Sequence, residues 1–324
     1  MQYYYAPLEG LTDAVARAAH CKYYPDAAAP VQYYAPFVSP TKDRTVDPRK
    51  LRDILPDDPL NQGVPLVPQV LCKDAGDMLW MLHQLAAMGY EEVNLNLGCP
   101  SGTVVAKGKG AGQLRDVQAL NFFLDEVFSA DLPVKLSVKT RLGIAEPEEF
   151  YRLLEVFNDY PIHQLTIHPR VQKDLYRNHP RMEVFEYALA HSKNPVVYNG
   201  SLNTAAEIAA FAQSHPQLSA IMLGRPLVAN PALLRQLRTG EPADRETLHR
   251  YLQALYEGYV QRFGNYGNAI RRMKGVWNYV LCMFDDHKPL ERVLRRAGTP
   301  AEYELVVEQI FDQLPLRTDA KDVR

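Results

Sequence analysis

The chain has 324 residues, 47% of them hydrophobic and 23% charged, with a formal net charge of −2. That supplies apolar material for a large core and exceeds one average domain, although a barrel of roughly 250 residues still folds as one. Near-zero charge excludes a global field driving the molecule onto nucleic acid or an anionic membrane, so any basic surface is local. The four cysteines, Cys21, Cys72, Cys99 and Cys282, show no C-x-x-C pair and no neighbouring histidine cluster. That pattern points to a reduced protein without a metal site. The first five residues, Met1 to Tyr5, have neither a basic nor an apolar signal region, and nowhere do about eighteen apolar residues run together. A cytoplasmic protein, neither secreted nor membrane-spanning, is expected.

In chain order, apolar runs predict strands at Tyr3 to Ala6, Val31 to Pro36, Pro65 to Leu71, Glu92 to Leu97, Pro133 to Lys139, Gln164 to His168, Pro195 to Asn199 and Ala220 to Leu223. Helical periodicity falls between them at Asp74 to Met88, Pro147 to Tyr160 and Thr204 to Ser214, the last with a capping box at Asn203 or Thr204. Eight alternations of strand and helix predict an α/β fold, a (β/α)8 TIM barrel. Beyond residue 240 the strand signal vanishes. The expected organisation is therefore a barrel over residues 1–240 and an all-helical domain over 241–324.

In such a barrel the strand C-termini carry the chemistry. The fourth strand runs through Asn96 to Gly98-Cys99-Pro100 and a glycine-rich loop, Gly102 to Gly112, containing Lys107 and Lys109. On its own residues Cys99 reads equally as a reactive thiol or as a small buried hydrophobe, and the loop as a mobile surface segment or one that orders over a substrate. The other strand ends present Pro7-Leu8-Glu9, Gln69, Lys139-Thr140-Arg141, His168-Pro169-Arg170, Asn199-Gly200-Ser201 and Gly224-Arg225. The last two, after strands seven and eight, lie where barrels hold a phosphate, although ordinary turn chemistry uses the same residues. A lysine and a histidine on adjacent strands suit flavin mononucleotide: the cation meets negative charge on the reduced ring, and the histidine donates a hydrogen bond.

Taken together, Ala6-Pro7-Leu8-Glu9-Gly10-Leu11-Thr12-Asp13, Asn96-Leu97-Gly98-Cys99-Pro100, Ser137 to Gly143, His168-Pro169-Arg170, Asn199-Gly200 and Gly224-Arg225 resemble the tRNA-dihydrouridine synthase family over nearly the whole chain. The resemblance implies a barrel with tightly bound FMN, NADPH as a transient reductant, a helical tRNA-binding domain, and reduction of a tRNA uridine to 5,6-dihydrouridine. It assigns proton donation to Cys99, and FMN contacts to Pro7, Leu8, Glu9, Gln69, Lys139, His168, Asn199, Gly200, Ser201, Gly224 and Arg225. Asn96 takes a position that touches the uridine. Leu8 and Pro169 depart from the common methionine and glycine of the family.

The partner is then a folded tRNA, recognised by shape and phosphates with the target base extruded; a monomer is expected. Residues 261–298 hold eight lysines and arginines against three acidic residues, a local excess of +5 in a chain of net −2. Arg271, Arg272, Lys274 and Asn278 share one helical face there, and with Arg295, Lys107 and Arg141 they are the predicted RNA contacts. Trp277, between them, reads as core. Two rival functions share part of this pattern: a flavin reductase of a free pyrimidine or other activated alkene, and a non-redox barrel binding RNA or a phosphorylated metabolite.

Overall fold

The computed structural model describes residues 1–25, 30–320 and 323. All eight predicted strands form, as β1 (Gln2–Tyr5), β2 (Gln32–Tyr34), β3 (Leu66–Val67), β4 (Gln69–Val70), β5 (Glu92–Leu97), β6 (Lys135–Arg141), β7 (Leu165–His168), β8 (Val196–Tyr198) and β9 (Ala220–Leu223). There are nine labels because the third predicted strand divides at Pro68, which has no N–H to give to a ladder. Neighbours in the sheet follow the order β3-β2-β1-β9-β8-β7-β6-β5-β4, and each pairing with a recorded register is parallel. Its two ends, β3 and β4, are separated only by Pro68, so the ladder returns on itself and the sheet is a closed barrel. β6 continues two residues past its predicted end, which makes Arg141 a strand residue.

The helices between strands follow their caps. Asp74 accepts from Asp77 N and caps the helix Ala75–Ala87. Thr204 and Glu207 exchange bonds ahead of the helix Ala205–Ser214, the capping box expected there. Inside the barrel Tyr4, Ala6, Tyr34, Val67, Val197, Ala220 and Met222 form one buried cluster. Two tyrosine rings, Tyr4 and Tyr34, meet in it at 5.4 Å.

By compactness the chain divides into two units. One is Met1–Pro7, Gln32–Ser201 and His215–Met222; the other is Leu8–Val31, Leu202–Ser214 and Leu223–Arg324. The second unit thus gathers more than the stretch after residue 240. Its early helix Ala14–Tyr23 packs on Arg245–Phe263, with the Tyr24 and Tyr251 rings edge-on at 5.5 Å and His20 Nε2 3.1 Å from the Pro231 carbonyl oxygen. From Arg225 onward the described regular elements are helices, together with one isolated bridge, Phe284 with Leu316. Gly264, at φ +61°, ends Arg245–Phe263 in the left-handed conformation that glycine tolerates, and Asn265 caps the next helix, Tyr266–Val280. Trp277 is fully buried, donating from Nε1 to the Tyr303 hydroxyl at 3.0 Å and lying against Phe284 and Phe311, so it is core as read from sequence.

Candidate active site

β5 and β6 pair with Asn94 opposite Ser137 and Asn96 opposite Lys139, and β4 sets Gln69 opposite Asn94. Residues two apart on a strand share a face, so one face carries a column of polar groups where packing alone would place branched aliphatics. Buried amides are costly unless both ends are satisfied, and these satisfy one another. Tyr34 and Ser137 hydroxyls donate to Glu92 Oε1 at 3.2 and 2.6 Å. Asn94 Nδ2 donates to Ser137 Oγ at 2.9 Å and Gln69 Nε2 to Asn94 Oδ1 at 2.7 Å. Asn96 Nδ2 donates to Gln69 Oε1 at 2.7 Å. Asn96 Oδ1 finally accepts the backbone N–H groups of Gly98 and Cys99 at 3.0 and 2.9 Å. An unbroken chain of hydrogen bonds thus runs from Glu92 to the turn that presents Cys99.

Other groups fix the same turn. Arg141, 1% exposed, donates from Nε to the Gly98 carbonyl at 3.0 Å and from Nη1 to that of Val171 at 3.1 Å, with its guanidinium 5.2 Å from the Tyr176 ring centroid. Ala111 N donates to the Cys99 carbonyl at 3.1 Å. Gly110 has φ +57°, and a Cβ there would stand 2.9 Å from Cys99 Cβ, which is the close approach that requires glycine. The glycine-rich segment is therefore packed beneath Cys99, with a short helix Gly102–Val105 and a 3₁₀ turn Gly110–Arg115. Lys107 remains exposed. None of the four cysteines is in a disulfide, and Cys99 is half-buried.

Gln69, Asn96 and Arg141, expected to touch flavin, uridine and RNA, have their recorded bonds within this scaffold. Asn96→Ala is accordingly expected to lower turnover by about 10²-fold, through displacement of the reacting group, while flavin content is retained. Steady-state kinetics beside flavin absorbance checks this; an unchanged turnover would dismiss the scaffold role.

Lys139 differs from its neighbours on the column: among the described residues its ammonium has no hydrogen-bond or ion-pair partner. Burial, aided by the nearby Arg141 charge, pushes its pKa down to about 7, against an opposing pull from Cys99. On β7, His168 is 7% exposed and its Nε2 lies 2.9 Å from Arg170 Nη1. A guanidinium only donates, so Nε2 is the acceptor and the ring hydrogen lies on Nδ1. Arg170 also donates to Ser201 Oγ at 2.8 Å and the Asn178 carbonyl at 2.5 Å. It thereby joins the ends of β7 and β8. Asn199 Nδ2 donates to the Met222 carbonyl at 2.8 Å, and at Gly200 any Cβ would collide with the Tyr198 ring. An arrangement with one free thiol, one desolvated amine and an oriented imidazole can bind an anionic conjugated ligand and deliver a proton to a carbanion-like carbon.

Residues 4–313 match the family model described as Dihydrouridine synthase. The chain belongs to the dihydrouridine synthase family. Among its relatives, a protein named "Probable tRNA-dihydrouridine synthase" from Staphylococcus aureus (strain N315) is 29% identical over 200 residues, covering 60% of this chain and 58% of that protein. The chain thus spans less than two thirds of that relative's length. The protein named tRNA-dihydrouridine synthase B from Shewanella oneidensis is 26% identical over 247 residues, covering 72% and 75%. The fold is similar to old yellow enzyme from Trypanosoma cruzi, with a TM-score of 0.52, 11% identity and coverage of 80% and 93%. It is also similar to a variant of NCR from Zymomonas mobilis, with a TM-score of 0.53, 14% identity and coverage of 81% and 94%.

In the second unit of this dihydrouridine synthase family member, Leu8 N and the Leu8 carbonyl close a turn with Thr12, and Gly224 precedes the short helix Arg225–Ala229. Arg271 and Asn278 are exposed on the helix Tyr266–Val280. Arg272 turns inward: it pairs with Asp13 at 3.3 Å and lies over the rings of Tyr259 and Phe263. Lys274 Nζ donates to the Arg295 carbonyl at 3.0 Å, and Arg295 pairs with Glu291 one turn back. Sequence reasoning missed the roles of Arg170, Glu92 and Gly110. Arg170 stood inside a quoted motif and Gly110 inside the glycine-rich loop, whereas Glu92 carries no local signal.

Proposed function

We propose that this chain reduces a uridine of tRNA to 5,6-dihydrouridine, using FMN bound in the barrel and NADPH as a transient reductant. The observation that carries this reading is Lys139, a desolvated ammonium without a counter-ion among the described residues, on the strand next to the one that presents Cys99. Such a group calls for an anionic ligand, and a flavin, with its phosphate and its negatively charged reduced ring, fits that need. When bound, the flavin supplies the hydride for C6 of the uracil.

The remaining chemistry belongs to the chain. Lys139 holds positive charge against the ring, and His168 offers Nδ1–H as a donor whose direction Arg170 fixes. Asn199, Gly200 and Ser201, with Gly224 and Arg225, are assigned to the flavin's polar end, and Pro7, Leu8 and Glu9 to its edge. Cys99 is assigned as the proton donor, its Sγ passing a proton to C5 of the uracil. The turn made by Asn96, Arg141 and Gly110 orients that thiol. Residues 1–240 are assigned the catalysis and residues 241–324 the tRNA, for which the basic excess of 261–298 supports phosphate contacts. A cytoplasmic monomer is proposed; among the described residues no helix is long and apolar enough to cross a membrane.

The deciding experiment is nucleotide-resolved mass spectrometry of tRNA lacking dihydrouridine, incubated with the purified protein, FMN and NADPH beside a free-uridine control. A mass gain of one H2 at a defined tRNA uridine is expected. Reduction of free uridine alone would favour a small-molecule reductase. A preparation that binds no flavin would remove the basis of the proposal.

A further inference from the structure

Within the second unit, the helices Arg245–Phe263 and Pro300–Gln313 and the start of Tyr266–Val280 enclose a cavity of about 640 Å³, within the size range of small-molecule sites. Leu252, Val260 and Val307 give it an apolar floor, while Tyr256, Tyr266 and Tyr303 supply aromatic walls. Its charge is acidic: Glu257, Glu304 and Glu308 line it, and among the described residues no lysine or arginine does. Glu308 is partly answered by His249 at 3.1 Å, and Glu257 accepts from Gln253 at 2.9 Å. Glu304 has no basic partner among the described residues.

A second observation is independent of the acids. Tyr256 is 93% buried, and its hydroxyl has no hydrogen-bond partner among the described residues. Its ring lies 4.7 Å from that of Tyr303. A core that required only packing would be served by phenylalanine, because a buried hydroxyl left unbonded is destabilising. An ammonium group meets all of these features: its N–H groups donate to the hydroxyl oxygen and to a carboxylate, its charge is attracted to the ring faces, and its carbon body covers the apolar floor. Phosphates, including those of RNA, are repelled by the same acids.

We propose that this cavity binds an organic cation, an ammonium-bearing molecule with an apolar body. The test uses the full-length protein, with phenethylammonium as the probe and 2-phenylethanol as its neutral counterpart at constant ionic strength. Binding is followed by calorimetry and by the change in tryptophan emission in a Trp80→Phe background, where the signal comes from Trp277, which is hydrogen-bonded to the cavity wall through Tyr303. Phenethylammonium is expected to saturate and to bind at least about tenfold more tightly than the alcohol. Tyr256→Phe and Glu304→Gln should each weaken it by about fivefold or more. Glu304 is exposed, so its variant remains informative if Tyr256→Phe disturbs folding. Equal affinity for the two probes, no saturation up to about 10 mM, or unchanged binding in Glu304→Gln would overturn the proposal.

Discussion

Cys99→Ala is expected to keep flavin and tRNA binding within about twofold of the parent protein and to lower dihydrouridine formation by about 10²- to 10⁴-fold, the usual worth of a positioned general acid. The retained binding follows from the structure around the thiol. The bonds that form the turn involve the backbone of residues 98, 99 and 111 and the side chains of Asn96 and Arg141, none of which passes through Sγ. Removing Sγ takes away the assigned proton donor and leaves these bonds in place. Stopped-flow absorbance under anaerobic conditions separates the steps. Reduction of the flavin by NADPH should proceed at the parental rate, and its reoxidation by tRNA should slow. Cys99→Ser, which keeps the shape and weakens the acid, should fall nearer to alanine than to the parent. Parental turnover by Cys99→Ala would place the proton elsewhere.

The second large effect concerns pH and Lys139. With its pKa brought down to about 7 by burial, the ligand-free protein carries Lys139 charged below pH 7 and increasingly neutral above it. If the charged form is the one that receives an anionic flavin, binding above pH 7 must take up a proton. Affinity should then fall by up to about tenfold per pH unit between roughly 7 and 9. Titration of the flavin-free protein by flavin fluorescence quenching measures the slope, and calorimetry in buffers of different ionisation enthalpy counts the proton. Lys139→Met should flatten the profile and weaken binding most below pH 7. The same group links pH to folding with a defined sign. Its folded pKa lies below the unfolded value near 10.4, so the unfolded chain binds more protons between about 7 and 10, and this residue's contribution to stability rises with pH across that window. A flat flavin profile in the parent protein would show that Lys139 does not meet the ligand as a cation.

The two predictions draw on different kinds of information. That Cys99 ends a strand, with a glycine before it and a proline after it, is legible from a few consecutive residues. That Lys139 has no hydrogen-bond or ion-pair partner among the described residues is not, since it depends on everything folded around it. Arg272 makes the same point in reverse. Its neighbours in sequence place it on a basic helical face, but Asp13, 259 residues earlier, takes its charge. Arg141 also looks like a strand-end cation available to a substrate, and instead its recorded bonds go to the carbonyls of Gly98 and Val171. For Trp277, sequence reasoning and structure agree, because a large aromatic flanked by apolar residues at helical spacing has few alternatives to the core.

The sequence by itself determined the alternation of strands and helices, the helical character of the C-terminal region, the turn bearing Cys99 and the strand-end residues that resemble the dihydrouridine synthase family. All of these follow from side-chain periodicity and backbone preferences that act over a few residues. Only the tertiary structure decided which polar side chains remain available for chemistry. Asn94 finds Gln69 and Ser137 through the register of three strands, and Gly110 meets Cys99 across a folded loop. Hydrogen-bond partners and desolvation are fixed by groups distant in the chain, and strand register, which local sequence does not encode, selects them.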